Sequence, residues 1–244
     1  MEKKTSLPRV SPLALALAAS LGSASLVTPM YAQAEVTGNI GVSSKYIFRG
    51  TIENENAAVQ GGLDYAHESG FYAGYWGSSL GYGDDGDNGF ENDFYAGFSG
   101  EAGGLSYDAY LLYYYYESVD DADTPELGLS VGFGPVTAGL AYIIDDVVWA
   151  NAGDIYLYLG YEADLPSDFS FSATAGFFSY EDSGEFEEDL GTTEDSGFKH
   201  LDLTLSHPLG STGADMSITY MVGGQDRTGE DVENEVLLGL TFGF

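Results

Sequence analysis

The chain has 244 residues, with 19 Tyr, 14 Phe and 34 Gly, no Cys, and 39 acidic residues against 7 basic ones. The formal charge of −32 repels nucleic acid and anionic lipid and attracts cations, which excludes a nucleic-acid-binding role. Without Cys there are no disulfides or thiolate metal sites, so order must come from hydrogen bonding and packing; the aromatic and Gly content points to β structure rather than to the disorder that acidity alone suggests.

The first 34 residues stand apart from the rest. Lys3, Lys4 and Arg9 make a positive n-region, residues 11–27 are an apolar Ala/Leu/Ser stretch, and Ala32-Gln33-Ala34 is a small-x-small cleavage signal. This is the pattern of a secretory signal peptide cut after Ala34, and the stretch is too short and too Ala/Ser-rich for a spanning anchor. The expected organisation is therefore a signal peptide over 1–34 and one domain over 35–244. Removing Glu2 with the three bases leaves 38 acids facing Lys45, Arg49, Lys199 and Arg227, a formal charge of −34.

From there on, apolar residues recur at period two and no helix is expected. Twelve strands are predicted, at 36–49, 57–68, 71–82, 90–101, 105–116, 125–133, 136–145, 153–162, 169–180, 198–207, 214–223 and 234–244. Their length of about 9–13 residues is what a tilted strand needs to cross a bilayer. The links after even-numbered strands are tight, as at Ser69-Gly70, 102–104, Gly134-Pro135, 163–168 and 208–213. The links after odd-numbered strands are mostly longer and acidic, as at 83–89, 117–124 and 181–197. An even strand count, with short turns at one end and long loops at the other, predicts an all-β fold, a transmembrane antiparallel barrel.

Parity then sorts the faces. In the first predicted strand Ile40, Val42, Tyr46 and Phe48 share the apolar face, and Asn39, Ser43, Lys45 and Arg49 the polar one. In the tenth, Leu201, Leu203 and Leu205 oppose His200, Asp202, Thr204 and Ser206. In the last, Val236, Leu238, Leu240, Phe242 and Phe244 line one side. In a barrel the apolar set faces lipid and the polar set the lumen; a soluble sandwich would bury the apolar set instead. Export and the placing of Tyr113–Tyr116 and of Phe71, Tyr72, Tyr75 and Trp76 at strand ends, where an interfacial aromatic girdle is expected, favour the barrel.

Two stretches carry a family resemblance. The C-terminal run Gly239-Leu240-Thr241-Phe242-Gly243-Phe244 resembles the terminal strand of bacterial outer-membrane proteins, whose final Phe is read by the barrel-assembly machinery. The opening Val36-Thr37-Gly38-Asn39-Ile40-Gly41-Val42-Ser43-Ser44-Lys45-Tyr46-Ile47-Phe48-Arg49-Gly50, followed by Gln60-Gly61-Gly62-Leu63-Asp64-Tyr65 and by His67-Glu68-Ser69-Gly70-Phe71-Tyr72-Ala73-Gly74 with Trp76, resembles the Gcw_chp family, also called TorF-like porins. Lys45 departs from that pattern, which has an acidic or neutral residue before the Tyr. The resemblance implies residence in the outer membrane of a Gram-negative bacterium, lipids and the barrel-assembly machinery (through Phe242 and Phe244) as partners, and a pore for small solutes. No cofactor is implied.

The rare cations are the first site candidates. If the first hairpin sets Lys45 near Asp64 and Arg49 near Gln60, these four line the pore, together with His200 and Asp202 of the tenth strand; the bland alternative is a structural ion pair. The run Asp84-Asp85-Gly86-Asp87-Asn88-Gly89-Phe90-Glu91 superficially resembles a calcium loop, with Asp84, Asp85, Asp87 and Glu91 as ligands. It lacks the Glu at the twelfth position, where Ala96 stands, and no helices flank it. That loop and 181–195, with eight carboxylates, read foremost as solvated and self-repelling. Catalysis has little support: His200 and His207 have opposite parity, and no Ser is well placed two residues from a His on the lipid-facing side, since Ser206 directly precedes His207 and points the other way. Passive diffusion with a cation preference is the expected function, and a non-conducting surface barrel whose acidic loops bind divalent ions is the alternative.

Overall fold

Backbone groups in a sheet are satisfied only by a neighbouring strand, and a sheet exposed on its outside to an apolar medium has no water for its edges. The computed structural model, which describes residues 34–83 and 88–244, meets that constraint by closing the sheet completely. The expected signal peptide and Asp84, Asp85 and Asp87 lie outside the described residues.

Twelve strands form the wall: β1 (Glu35–Ser43), β4 (Ala58–Ala66), β5 (Phe71–Ser79), β6 (Phe90–Ala102), β7 (Leu105–Glu117), β8 (Thr124–Phe133), β9 (Val136–Ile143), β10 (Ile155–Asp164), β11 (Ser170–Ser179), β12 (Ser196–Pro208), β13 (Ala214–Gly223) and β14 (Glu235–Gly243). Each pairs antiparallel with its chain neighbours. The ring is closed by β1 against β14, with Ile40 opposite Phe242 and Val42 opposite Leu240. At the seam Gly38 and Phe244 exchange both backbone hydrogen bonds, 2.8 and 2.9 Å.

Eleven of the predicted strands keep their place to within a few residues. The first does not. Strand β1 stops at Ser43, and the chain turns inward to form a two-stranded hairpin, β2 (Tyr46–Phe48) with β3 (Thr51–Asn54), that belongs to no wall. Tyr46 and Phe48 are therefore in the interior, 1% and 8% exposed, and not on the lipid-facing side that parity over 36–49 assigns them. The reason is local: Phe48 pairs with Thr51, so Arg49-Gly50 is a two-residue tip, and both have positive φ, 47° and 81°. That is the type I′ geometry whose twist matches paired strands. A one-turn helix, α1 (Glu187–Leu190), also forms in the loop before β12, where none is expected.

The short turns and both described chain ends gather at one end of the barrel, and the long loops at the other. The outer face is apolar, with Val59, Leu63, Leu111, Leu129, Leu159 and Leu238 all more than half or nearly half exposed. Among the described residues no helix is long and apolar enough to cross a membrane; in a barrel the strands cross. The core lies inside the ring. Tyr46 and Phe48 of the hairpin pack there with Trp76, Tyr95, Tyr110, Leu112, Tyr114 and Tyr116 of β5–β7. Trp149, from the loop after β9, closes over them, its ring edge-on to Tyr114 at 5.5 Å and its Nε1 donating to the Ala122 carbonyl at 2.9 Å.

Inward glycines give these rings room. A Cβ at Gly128 would overlap the Tyr110 ring, whereas one at Gly160 would have its nearest neighbour 3.8 Å away. Gly128→Ala is therefore expected to destabilise the barrel by about 1–3 kcal/mol through overpacking, and Gly160→Ala by no more than about 0.5 kcal/mol. Equilibrium denaturant unfolding in detergent micelles checks both; equal effects would show that the lumen is not packed against Gly128.

Candidate functional site: a hairpin across the lumen

The hairpin tip reaches from the β1/β4 wall to the opposite side. Arg49 meets Glu126 of β8 through two hydrogen bonds, Nη1 to Oε2 at 2.6 Å and Nη2 to Oε1 at 2.9 Å. The side chains are 5% and 0% exposed. The hydroxyls of Tyr110 and Tyr114 also donate to Glu126, each at 3.2 Å. The guanidinium lies 4.6 Å from the ring centres of Phe48 and of Tyr156 on β10. A planar cation held in a bidentate fork between two rings is what Arg does and Lys cannot. Beside the tip, a Cβ on Gly50 would come within 3.0 Å of Lys199 and 3.1 Å of His200, so the hairpin touches β12 as well.

The base of the hairpin is tied to the seam. Lys45 bonds Glu55 and Glu235, both at 2.9 Å, and these carboxylates, Glu235 first, hold its ammonium above the usual lysine range. Asn54 Nδ2 donates to the Ser79 carbonyl at 3.0 Å.

The expected pairing of Lys45 with Asp64 and Arg49 with Gln60 is corrected by the register. Gln60 stands opposite Gly41 and Asp64 opposite Thr37, because the strand ends before either cation. Gln60 is buried and bonds Ser78 Oγ at 3.3 Å. Asp64 faces inward and accepts from Tyr95 Oη. His200 and Asp202 do face inward together: His200 Nδ1 lies 3.0 Å from Asp202 Oδ1, though without hydrogen-bonding alignment, and its Nε2 meets Tyr156 Oη at 2.9 Å. The register shift opposite Gly176 and Phe177 leaves Lys199 as the extra residue of a bulge on β12, and its side chain is buried too, 8% exposed. Glu91, the described member of the calcium-loop-like run, is the second residue of β6 and wholly buried. It is thus a wall residue and not part of a loop site. Among the described residues no group of three or more His, Asp or Glu side chains is arranged to hold a metal.

Sequence reasoning missed the tyrosine–acid pairs that organise this wall. Tyr72 donates to Asp108 at 2.8 Å, Tyr95 to Asp64, and Tyr82 to Glu53. The signal was available as inward-parity Tyr and Asp on neighbouring strands, but it resembles a girdle until the faces are known. Of the girdle tract only Tyr113 and Tyr115 face out; Tyr114 and Tyr116 are interior. His67 and Ser69 touch, Nδ1 to Oγ at 2.9 Å, with Ser69 N donating to the same Nδ1 at 3.2 Å. These are hydrogen bonds within the tight turn after β4.

The two sides of the lumen differ. Over β5–β7 it is filled by large rings. Over β11–β14 many inward residues are small, polar and partly exposed, among them Ser172, Thr174, Thr204, Ser217, Thr219 and Thr241, although Met221 and Leu237 share that face and Met221 is buried. Above this side the long loops are fastened to each other. Arg227 pairs with Asp154 and lies 5.0 Å from the Tyr180 ring centre. Glu187 accepts from Asn151 Nδ2 at 2.6 Å and Thr192 N at 2.7 Å, and these donors, Asn151 first, hold it below the usual carboxylate range.

A family model described as a bacterial protein of unknown function, Gcw_chp, matches residues 30–232. No curated protein sequence matches. Among solved structures the chain is similar to outer membrane phospholipase A from Escherichia coli, at 12% identity over 84% of this chain and 91% of that one, TM-score 0.45. It is similar to the outer membrane channel DcaP of Acinetobacter baumannii, at 10% identity over 87% and 98%, TM-score 0.45. It is also similar to the outer membrane protein OprD from Pseudomonas aeruginosa, at 14% identity over 89% and 66%, TM-score 0.40.

Removing one partner of the cross-lumen pair strands the other. Arg49→Met is expected to destabilise the barrel by about 3–5 kcal/mol, and the double variant Arg49→Met/Glu126→Met by clearly less than the sum of the two single changes. A double-mutant cycle from equilibrium unfolding checks this; additive effects would mean that the pair does not hold the hairpin.

Proposed function

This chain belongs to Gcw_chp, a family of bacterial proteins of unknown function, and we propose that it is a narrow outer-membrane pore for small solutes, restricted by its own inserted hairpin. The observation that carries this reading is the division of the lumen. The hairpin and the tyrosine wall take up the β5–β7 side, and a small-residue polar strip along β11–β14 remains partly exposed. An apolar outer face needs lipid, and the loop end, with its acidic loops, is the natural outward side if the chain ends lie in the periplasm, as in bacterial barrels. Residues 1–34 serve in this reading as the cleaved export signal, and Phe242 and Phe244, exposed on the last strand, as the contact for the assembly machinery.

The strip selects cations. Asp202 of the strip and Glu162 of the adjoining β10 face inward and are partly exposed, whereas Arg49 and Lys199 are buried and Lys45 is neutralised by Glu55 and Glu235. Potassium over chloride is the expected order.

A non-conducting structural barrel is the second reading, favoured by the same buried hairpin. Planar-bilayer recording with the full mature chain separates the two. Small discrete conductances with a cation-directed reversal potential are expected, weakened by Asp202→Asn with Glu162→Gln and enlarged several-fold when residues 46–54 are replaced by a short Gly/Ser link. Silence from both proteins would overturn the pore, and an anion-directed potential the selectivity. The turn contacts of His67 and Ser69 are read as structural, so no lipid hydrolysis is expected. Fatty-acid release by the wild type that Ser69→Ala abolishes would reverse that assignment.

A further inference from the structure

Glu91 and Asp93 occupy successive inward positions on β6, and both are 0% exposed. The hydroxyls of Tyr46, from the inserted hairpin, and of Tyr116 face Glu91, but none of the four carboxylate oxygens, nor the Tyr46 hydroxyl, makes a hydrogen bond of good geometry. This sets them apart from the other acids that face the same interior. Asp64 and Asp108 each hold a tyrosine hydroxyl, Glu126 holds Arg49 and two tyrosines, and Glu53 accepts from Tyr82 with Lys199 in electrostatic reach. Arg49 lies within electrostatic reach of both but is bonded to Glu126, so Glu91 and Asp93 are left with neither an ion pair nor a hydrogen-bonded partner of their own. Burying two such groups at adjacent sites without a partner is strongly unfavourable.

We propose that Glu91 and Asp93, with the Tyr46 hydroxyl, bind one hard divalent cation, Mg²⁺ or Ca²⁺, between the β6 wall and the inserted hairpin. A charge of +2 matches the two unpaired carboxylates. The ligand set is oxygen only, in a chain with no Cys, which suits these ions and not the softer metals. Two carboxylates and a phenol fall short of a full protein cage, consistent with the absence of any three-ligand acidic or His group among the described residues; water completes the shell, as is usual when one or two carboxylates hold Mg²⁺. Because Tyr46 belongs to the hairpin and Glu91 and Asp93 to the wall, the ion ties the two together beside the Arg49–Glu126 pair, whose charges reach Asp93. The site stands on burial and pairing alone and does not depend on whether the barrel conducts.

The test uses the full mature chain refolded in detergent, loaded with Mg²⁺ or Ca²⁺ and then dialysed. Elemental analysis is expected to find one equivalent of metal, and chelation to lower the melting temperature. E91Q/D93N, checked for folding by circular dichroism, is expected to lose both the metal and the response to chelator, and Y46F to bind more weakly. Neutralising the outer loop, D84N/D85N/D87N, is expected to leave the stoichiometry unchanged. Absence of metal and of any metal-dependent melting in the wild type would overturn the proposal and leave protons as the neutralising charge. Metal kept by folded E91Q/D93N, or lost from the loop variant, would overturn it in favour of a loop site.

Discussion

The Arg49–Glu126 pair is the interaction on which the interior depends. It joins a two-residue hairpin tip to the far wall of the barrel, and it does so where neither side chain reaches water. A buried pair of this kind adds little net stability compared with apolar packing, but it penalises every arrangement that separates the partners. Its effect is on specificity. The pair favours one register of the hairpin in the lumen, with the guanidinium over the rings of Phe48 and Tyr156 and Gly50 against β12.

Everything on the β5–β7 side follows from that placement. Once Tyr46 and Phe48 enter the lumen, the wall opposite has to offer rings of complementary size, and Trp76, Tyr95, Tyr110 and Tyr114 supply them. Gly128 is small because Tyr110 needs its space. Phenol hydroxyls brought inward need acceptors, and inward acids need donors, so the tyrosine–acid pairs satisfy both requirements at once. Among the described residues, the β11–β14 side meets the hairpin at Lys199, His200 and Glu235, and its Ser and Thr side chains stay short and partly wet.

The outer surface obeys a separate rule. It was legible in the sequence because the lipid-facing set repeats every second residue without exception across strands as different as β8 and β14. Leu127, Leu129 and Val131 alternate with Gly128 and Ser130; Val236, Leu238 and Leu240 alternate with Leu237 and Gly239. Twelve strands, the tight turns and the closing pair β1–β14 follow from that periodicity with the turn residues. The one failure, over 36–49, has a physical cause. Tyr46 and Phe48 continue the apolar parity of Ile40 and Val42, so the pattern does not mark the point at which the chain leaves the wall. Only Arg49-Gly50, a tip that tolerates positive φ, hinted at a turn.

The sequence by itself determined the class of fold, the twelve strands of the wall, the apolar faces of strands such as β12 and β14, and the segregation of short turns from acidic loops, because each is a local property of period and turn chemistry. It also singled out Arg49 as a residue of consequence, through the scarcity of cations. Tertiary structure alone decided what Arg49 touches, that Tyr46 and Phe48 are interior, and that Glu91 and Asp93 are acids without partners. Those facts are contacts across the lumen, between residues 77 positions apart for Arg49 and Glu126, and alternation along a strand carries no information about what stands on the opposite wall.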